Sequence, residues 1–288
     1  MILPMPATLG TRAGRPHLSN DWRAAATLLA AAVLLTGCGD DGDGDGVRLP
    51  PAGARVDYQL GGAYPPAAGV EVVIRDVTAE PAPDRYGVCY VNAFQTQPGT
   101  LDRWRDEHDD LLLRDDGELV TDPDWPDEAL LDTSTEANRA ALAEIVGADL
   151  ERCADAGFAA VEPDNLDSWT RSHGLLDAAG NVAFAALLAE RAHELGLAIA
   201  QKNAPELGDA GRDTAGLDFA IAEECEVHDE CAAYTGVYGR QVIEIEYTDN
   251  GRDAFAAACA ARGERISVLL RDRDVLPAGA GGYVSQWC

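Results

Sequence analysis

Acidic side chains at the ends of apolar segments are the first residues in this sequence that could do chemistry. Glu162, Asp164, Glu223 and Glu246 each stand at or near the end of a short run of apolar or β-branched residues. Two carboxyl groups brought together are the minimal apparatus for glycoside hydrolysis, because one protonates the leaving oxygen while the other attacks the anomeric carbon or activates water. The separation of the two groups decides between retention and inversion of the anomeric configuration, and we expect retention.

A single lysine stands among these acids in the sequence. Lys202 is the only lysine among the 22 lysine and arginine residues, and it lies near the end of the apolar run 197–203. An unpaired buried ammonium is costly, so we expect Lys202 to offset crowded carboxylates and to donate hydrogen bonds to a carboxylate or a substrate. Two alternatives are a lysine that reaches water from the strand end and a Schiff-base lysine, which crowded carboxylates disfavour by raising its pKa.

The sequence lacks the residue patterns that other common catalytic schemes require. The chain has no Gly-x-Ser-x-Gly elbow, and His108, His173, His193 and His228 are dispersed rather than paired as in a His-Glu-x-x-His zinc motif. A carboxylate cluster could hold Ca²⁺ or Mg²⁺, but a lysine in the same pocket argues against this. We therefore expect neither a metal nor another cofactor.

Eight predicted strands would position these groups. They are Val56–Leu60, Val70–Arg75, Gly87–Ala93, Phe158–Asp164, Leu197–Asn203, Phe219–Cys225, Val242–Tyr247 and Ile266–Arg271. Amphipathic patterns predict helices at Leu101–Leu112, Glu136–Ala154, Asn181–Leu195, His228–Tyr238 and Ala254–Ala261, with an ordered loop at Asp110–Thr135. This alternation predicts an α/β fold, a single (β/α)8 TIM barrel, in which the connection 61–69 is too short for a helix. The alternative is an open doubly wound sheet, but the glycine-rich turn of its dinucleotide-binding form is missing.

A barrel of this kind carries its chemistry at the carboxyl ends of the strands. The polar residues found there are Arg75, Asp76, Asn92, Glu162, Asp164, Asn165, Lys202, Asn203, Glu223, Glu224 and Glu246. Because side chains two apart share a face, we predict one pocket that holds Asp164, Glu223 and Glu246, with Lys202 between the first two in strand order. Tyr58, Tyr90 and Tyr247 near strand ends, and Trp125 and Trp169 in loops, could stack on sugar rings.

The N-terminal region resembles a bacterial lipoprotein signal peptide. Three arginines precede the apolar run 24–35, and Leu35-Thr36-Gly37-Cys38 resembles a lipobox, whose cysteine is lipidated. We expect residues 1–37 to be the signal peptide, 38–55 a tether rich in Asp, Gly and Pro, and 56–288 the folded domain. The protein would then be exported to the cell envelope and anchored in a membrane through Cys38 alone, an ordinary secretory signal being the alternative.

Composition limits the partners of the exported domain. A formal net charge of −28 and a pI near 4.3 argue against nucleic acids and anionic lipid surfaces, and they favour a cationic partner. A general acidic bias that confers solubility would look the same. We expect a monomer.

Six further cysteines predict up to three disulfides, because their number is even and the protein is expected to be exported. They are Cys89, Cys153, Cys225, Cys231, Cys259 and Cys288. Cys225 and Cys231 are close enough to pair across a tight loop. The pairs Cys259 with Cys288 and Cys89 with Cys153 remain, and the sequence leaves them open.

Several of these segments together resemble a known family. In order, they are Gly87–Phe94, Trp125–Asp132, Gly157–Asp167, Gly196–Asn203, Ala222–Cys225 with Glu230 and Cys231, and Ile245–Tyr247. The series resembles glycoside hydrolase family 114, the endo-α-1,4-polygalactosaminidases, from about Tyr58 to Tyr247. The resemblance implies a (β/α)8 barrel and a polymer substrate that contains α-1,4-linked galactosamine, a cationic sugar when deacetylated.

The resemblance also implies roles for individual residues. It matches Asp164 to the catalytic Asp and Glu223 to the catalytic Glu, and we assign Asp164 as nucleophile and Glu223 as acid/base. Lys202, Asn203, Asn165 and Glu246 would shape the sugar subsite, and Cys225 would pair with Cys231. We also expect substrate contacts from Asp76, Asn92, Glu162, Tyr58, Tyr90, Tyr247 and Trp125. The alternative is a surface lipoprotein that binds an amino-sugar polysaccharide without cleaving it, but the intact acid pair favours the enzyme.

Overall fold

Eight short parallel strands lie side by side in chain order in the computed structural model, which describes residues 46–288. They are β1 (Val56–Tyr58), β2 (Val72–Asp76), β3 (Tyr86–Asn92), β4 (Ala160–Asp164), β5 (Ala198–Lys202), β6 (Phe219–Glu223), β7 (Val242–Tyr247) and β8 (Ser267–Arg271). Each predicted strand is present, and the α/β barrel fold is confirmed. A ninth strand, β9 (Ser285–Trp287), was not predicted and runs antiparallel to β8. The predicted signal peptide, Cys38 and the start of the tether lie outside the described residues.

Helices follow most of the strands. They are α1 (Leu101–Glu107), α2 (Glu136–Ala156), α3 (Ala178–Glu194), α4 (Asp209–Asp213), α5 (Cys231–Tyr238) and α6 (Asp253–Arg262). The Thr135 side chain caps α2 by accepting the backbone N–H of Asn138, and the helix ends at Gly157, whose φ of 94° suits glycine. The short α4 was not predicted, and the first connection has no helix, as expected. Among residues 46–288, every helix is too short or too polar to cross a bilayer.

Alternate side chains of the strands enter two hydrophobic cores. One core fills the barrel interior and includes Val56, Ile74, Ala198, Ile221, Ile245 and Leu269. The other lies between strands and helices and includes Val91, Leu142, Leu150, Val161, Phe184 and Leu188. Because successive side chains of a strand point to opposite faces, this alternation fixes which polar residue at each strand end faces into the barrel.

Side chains hold the seam where the barrel closes. Within the described part of the chain, no backbone ladder joins β1 to β8. Buried Arg271 instead donates from Nη1 to the backbone carbonyl of Tyr58 and lies 3.5 Å from Asp57 Oδ1. Trp287 Nε1 donates to the carbonyl of Val56 at 2.5 Å. The barrel is therefore nearly closed, and polar contacts complete it.

Three disulfides connect elements of the barrel. Cys89 on β3 pairs with Cys153 on α2, and Cys259 on α6 pairs with Cys288. Cys225 pairs with Cys231 and closes the loop that follows β6. All six predicted cysteines are thus used, and the pairs that the sequence left open are resolved.

The long connection from β3 to α2 is ordered. It contains a small hairpin formed by Arg114–Asp115 and Glu118–Leu119. Leu113, Val120, Leu130 and Leu176 pack together beneath it as a separate small core. Because Leu176 belongs to the segment after β4, this core joins the long loop to that segment.

Candidate active site

Lys202 lies at the centre of the polar group inside the barrel mouth. Its Nζ is 3.1 Å from Glu162 Oε1, 3.1 Å from Asp164 Oδ1 and 3.2 Å from Glu223 Oε2. It also lies 3.3 Å from the hydroxyl of Tyr58. The side chain is only 2 % exposed, so these three acids, rather than water, surround its charge.

The order of the strands explains why these groups meet. Asp164 ends β4, Lys202 ends β5 and Glu223 ends β6, and the three strands are neighbours. Parallel strands bring their carboxyl ends to the same edge, and all three side chains face inward. The sequence analysis predicted that these three residues share a pocket, and it also placed Glu246 there, which the structure does not.

The backbone turns sharply after each of these three residues. The next residues, Asn165, Asn203 and Glu224, have φ of 65°, 48° and 59°, in the left-handed region. Asn enters this region more easily than most residues, whereas Glu does not. Such conformations cost on the order of 1–3 kcal/mol each and cluster at functional sites, where surrounding contacts maintain them.

The carboxylate of Glu223 is held on both oxygens. The Tyr247 hydroxyl donates to Oε1, and Asn203 Nδ2 donates to Oε2 at 3.0 Å. Asn203 Oδ1 in turn accepts the backbone N–H of Glu223 at 2.8 Å. Glu223 is therefore fixed in one orientation by residues of β7 and of the turn after β5.

Asp164 is held in its ionised form. Its Oδ1 accepts the backbone N–H of Asn165 at 2.8 Å and also contacts Lys202. Burial opposes ionisation, but the charge of Lys202, a hydrogen bond from Tyr90 and the Asn165 N–H outweigh it and keep the pKa of Asp164 below its ordinary value. Burial also opposes the charge of Lys202, but Asp164 and Glu223 outweigh it and raise the lysine pKa well above its ordinary value. An ionised Asp beside a permanent cation suits a nucleophile.

Glu162 lies deeper in the barrel than the other two acids. Its side chain is fully buried, and Oε1 accepts the hydroxyl of Tyr58 at 2.8 Å. Burial raises the pKa of Glu162 to about 7, although the charge of Lys202 acts in the opposite direction. Burial likewise raises the pKa values of the tyrosine hydroxyls of Tyr58, Tyr90 and Tyr247, which keeps them protonated as donors.

The acid pair opens into a cavity of about 230 Å³. Its lining residues are Asp122, Asp124, Trp125, Asp164, Asn165, Asp167, Arg171, Asn203 and Glu223. Sequence reasoning included Trp125 but missed Asp122, Asp124, Asp167 and Arg171. These four come from the loops after β3 and β4, where strand alternation gives no guide. The sequence feature that could have identified them is their position close to Trp125 and to the Glu162–Asn165 segment.

Arg171 organises one wall of the cavity. Its guanidinium contacts Asp122 at 2.7 Å, Asp167 at 2.9 Å and Asn165 Oδ1 at 2.7 Å. The cation is thereby neutralised by two carboxylates. Because Arg171 is already paired in this way, the cavity keeps an excess of acidic groups.

A chain of hydrogen bonds runs behind this wall. Asn165 Nδ2 donates to Asn92 Oδ1 at 2.7 Å, and Asn92 Nδ2 donates to Glu128 Oε2 at 2.7 Å. Burial raises the pKa of Glu128 to about 7. Asp76 accepts Gln97 Nε2 at 2.7 Å and lies at the rim without lining the cavity. Asn92 and Asp76 thus support neighbouring side chains, and Glu128 is a buried acid that the sequence did not single out.

The expectation that Glu246 joins the pocket is wrong. In β7 the inward residues are Ile243, Ile245 and Tyr247, because Ile221 and Glu223 of β6 pair with Ile243 and Ile245. Glu246 therefore points toward the helices, where its Oε1 accepts the backbone N–H of Glu226 at 3.0 Å. Tyr247 takes the inward place at the strand end.

Comparisons with solved structures agree with this fold. The barrel is similar to Ega3 of Aspergillus fumigatus, crystallised with galactosamine, with 22 % identity, a TM-score of 0.66, and coverage of 84 % of this chain and 98 % of that one. It is also similar to the glycoside hydrolase domain of PelA from Pseudomonas aeruginosa, with 15 % identity, a TM-score of 0.55, and coverage of 78 % and 97 %. At these identities the two structures show a shared fold. A comparison with curated protein sequences gave no match.

The family comparison is more specific than the shared fold. The family model of glycoside-hydrolase family GH114 matches residues 41–288, which include the whole barrel and both members of the acid pair. The chain therefore belongs to glycoside-hydrolase family GH114 and is a glycoside hydrolase.

Proposed function

We propose that the protein is an endo-glycosidase that hydrolyses α-1,4-linked, galactosamine-containing polysaccharide with Asp164 and Glu223 as its catalytic acids. One observation carries this proposal: the two carboxylates converge on Lys202 at the wall of an acidic cavity. Asp164 would attack the anomeric carbon while Glu223 protonates the departing glycosidic oxygen. Glu223 would then take a proton from water, whose oxygen attacks the same carbon and releases Asp164.

The geometry of the acid pair supports retention of configuration. Both carboxylates contact the same Lys202 Nζ, at 3.1 and 3.2 Å, so the two oxygens that contact it are at most about 6.3 Å apart. Inverting enzymes separate their carboxyl groups by roughly 6.5–9.5 Å to admit a water molecule. The shorter separation favours direct attack by Asp164.

The charge of the cavity supports an amino sugar as substrate. Five carboxylates line it, from Asp122, Asp124, Asp164, Asp167 and Glu223, and Arg171 is the cation among the lining residues. A deacetylated galactosamine unit carries an ammonium group that would balance part of this negative charge. Ega3, which shares the fold, was crystallised with galactosamine.

The cellular setting of the enzyme is part of the same proposal. The lipobox-like segment that ends at Cys38 supports export and a lipid anchor in the cell envelope, and we propose that the domain acts as a monomer. The three disulfides fit an oxidising compartment. Replacement of Cys38 by Ala should move the protein from the membrane fraction to the soluble fraction without changing cleavage. A Cys38→Ala protein that stays with the membrane would contradict the anchor.

The substrate assignment can be tested with polymers of matched length. The purified protein would be incubated with α-1,4-galactosaminan prepared at low and at high N-acetylation, and chain length would be followed by size-exclusion chromatography. We expect a rapid fall in mean length, as internal cleavage produces, and faster cleavage of the deacetylated polymer. Cleavage of neither polymer, or a preference for the fully N-acetylated one, would contradict the proposal.

A further inference from the structure

Trp125 is an exposed aromatic residue on the lip of the catalytic cavity. It lies in the segment 122–128, which we call the Trp125 loop. We propose that this loop forms a second sugar subsite, in which Trp125 stacks on a galactosamine unit of the polymer outside the unit attacked by Asp164. The inference rests on the proposed function and specifies how the enzyme would hold a long chain.

Exposure and position distinguish Trp125 from other apolar side chains. Among residues 46–288, the large hydrophobic side chains that are exposed are Trp125 at 65 %, Leu175 at 42 % and Val227 at 41 %. Of these three, Trp125 alone lines the cavity that contains Asp164 and Glu223. The indole ring of Trp125 is therefore exposed at the cavity that a ligand would enter.

Buried groups hold the start of the Trp125 loop in one conformation. Asp122 Oδ1 accepts the backbone N–H of Asp124 at 2.9 Å and of Trp125 at 3.2 Å. Its other oxygen contacts Arg171 at 2.7 Å and accepts Gln95 Nε2 at 2.8 Å. Asp122 is thus a buried anchor that fixes the backbone of an exposed residue.

The other end of the loop is anchored in the same way. The backbone N–H of Glu128 donates to the carbonyl of Trp125, and that of Asp122 donates to the carbonyl of Glu128, both at 2.9 Å. The Glu128 side chain is buried and accepts Asn92 Nδ2. Because the backbone is already ordered, a ligand that stacks on Trp125 has little loop entropy to overcome.

The chemistry of the loop suits an amino sugar. A galactose-configured ring presents a continuous C–H face that packs on indole, and an ammonium group is attracted to the same ring. Asp124 is exposed next to Trp125, and within the described chain it forms no ion pair with a Lys, Arg or His side chain. Its carboxylate is free to meet the ammonium of the sugar that stacks on Trp125.

Chain-length dependence tests the inference. Hydrolysis of a series of deacetylated galactosamine oligosaccharides, from the shortest one cleaved to the long polymer, would be compared for Trp125→Ala, Trp125→Phe and the parent. Leu175→Ala is the matched control, because Leu175 is also exposed but does not line the cavity. We expect Trp125→Ala to lose about tenfold in kcat/KM on long chains, mainly through KM, and to match the parent on the shortest one. Trp125→Phe should keep most of the activity. Leu175→Ala should match the parent on both the long and the shortest chains.

Three other outcomes would overturn the second subsite, and one of them would also contradict the proposed function. Equal activity of Trp125→Ala and the parent at every chain length would overturn the second subsite while leaving the proposed function intact. An equal loss on the shortest and longest chains would also overturn it, since the indole would then support the catalytic centre itself. A parent that cleaves none of these chains would contradict the proposed function and, with it, this inference.

Discussion

Lys202 places one compact positive charge against three carboxylates that are largely removed from water. The ammonium of lysine is a compact charge with three rotatable donors and can contact three oxygens around one point, whereas the guanidinium of arginine is a larger, rigid planar fork. This accounts for a lysine in a chain whose other basic side chains, apart from histidine, are 21 arginines. The site therefore depends on the balance between Lys202 and the surrounding carboxylates as well as on the acid pair.

Replacement of Lys202 by Met should disturb both activity and folding. We expect kcat/KM to fall by about a hundredfold, and the free energy of unfolding to fall by about 3–5 kcal/mol, because buried carboxylates lose their partner. The pKa of Asp164 should rise without the ammonium, so the acidic limb of the pH–rate profile should move to higher pH. Arg105→Met, which removes an exposed cation paired with Asp102, is the control. An unshifted acidic limb would contradict the role given to Lys202.

Three loops on one side of the barrel mouth are joined by Arg273. Its guanidinium contacts Glu224 at 2.6 Å, in the loop after β6, and Asp249 at 2.9 Å, in the loop after β7. It also lies 4.1 Å from the centre of the Tyr247 ring, whose hydroxyl donates to Glu223. We call this arrangement the Arg273 clamp. It holds Tyr247, whose hydroxyl orients Glu223.

Loss of the Arg273 clamp should weaken catalysis more than stability. We expect Arg273→Ala to lower kcat by roughly fivefold with little change in KM, and to change the free energy of unfolding by about 1 kcal/mol or less, since these charges are partly solvated. Steady-state kinetics and thermal unfolding would measure the two effects. Arg212→Ala is the control, because Arg212 also pairs with two surface carboxylates, Asp209 and Asp213. An unchanged kcat in Arg273→Ala would show that Tyr247 does not need the clamp.

The elements were predictable from the sequence to the extent that hydrophobic pattern determines them. Continuous apolar runs marked the eight strands, and their ends marked Asp164, Lys202 and Glu223. The prediction that Glu246 faces the pocket was wrong. The inward face of β7 is fixed by its pairing with β6, and the alternation of acids and isoleucines within β7 does not by itself show which set faces inward. Asp122 and Arg171 were missed because they reach the cavity from loops, whose path depends on packing against the barrel.

The whole molecule combines a large negative charge with buried acids. Its formal net charge is −28, and burial raises the pKa of Glu128, Glu162 and Glu246 to about 7 each, from an ordinary value of 4.5. The folded chain therefore keeps these protons at pH values where the unfolded chain has already released them. Stability contributed by the bound protons is lost as the pH rises from about 4.5 toward 7, and charge repulsion adds to the loss.

The protein should accordingly unfold at a higher temperature at pH 5 than at pH 8. Calorimetry across this range would measure the trend, and Glu246→Gln should reduce it because the amide cannot ionise. Added salt at pH 8 should recover the part of the loss that comes from charge repulsion, but not the part that comes from buried carboxylates. A midpoint temperature that rises steadily from pH 5 to pH 8 would contradict the raised pKa values of the three buried acids.

The release of reducing ends from deacetylated α-1,4-galactosaminan by the parent, Asp164→Asn and Glu223→Gln tests most directly whether Asp164 and Glu223 are the catalytic acids. Glu246→Gln is the matched control, an acid at a neighbouring strand end that faces away from the cavity. With folding checked by circular dichroism, we expect the Asp164→Asn and Glu223→Gln variants to lose about a thousandfold in rate and Glu246→Gln to stay close to the parent. A folded Asp164→Asn or Glu223→Gln variant that cleaves the polymer at nearly the parent rate would contradict this assignment of the catalytic acids.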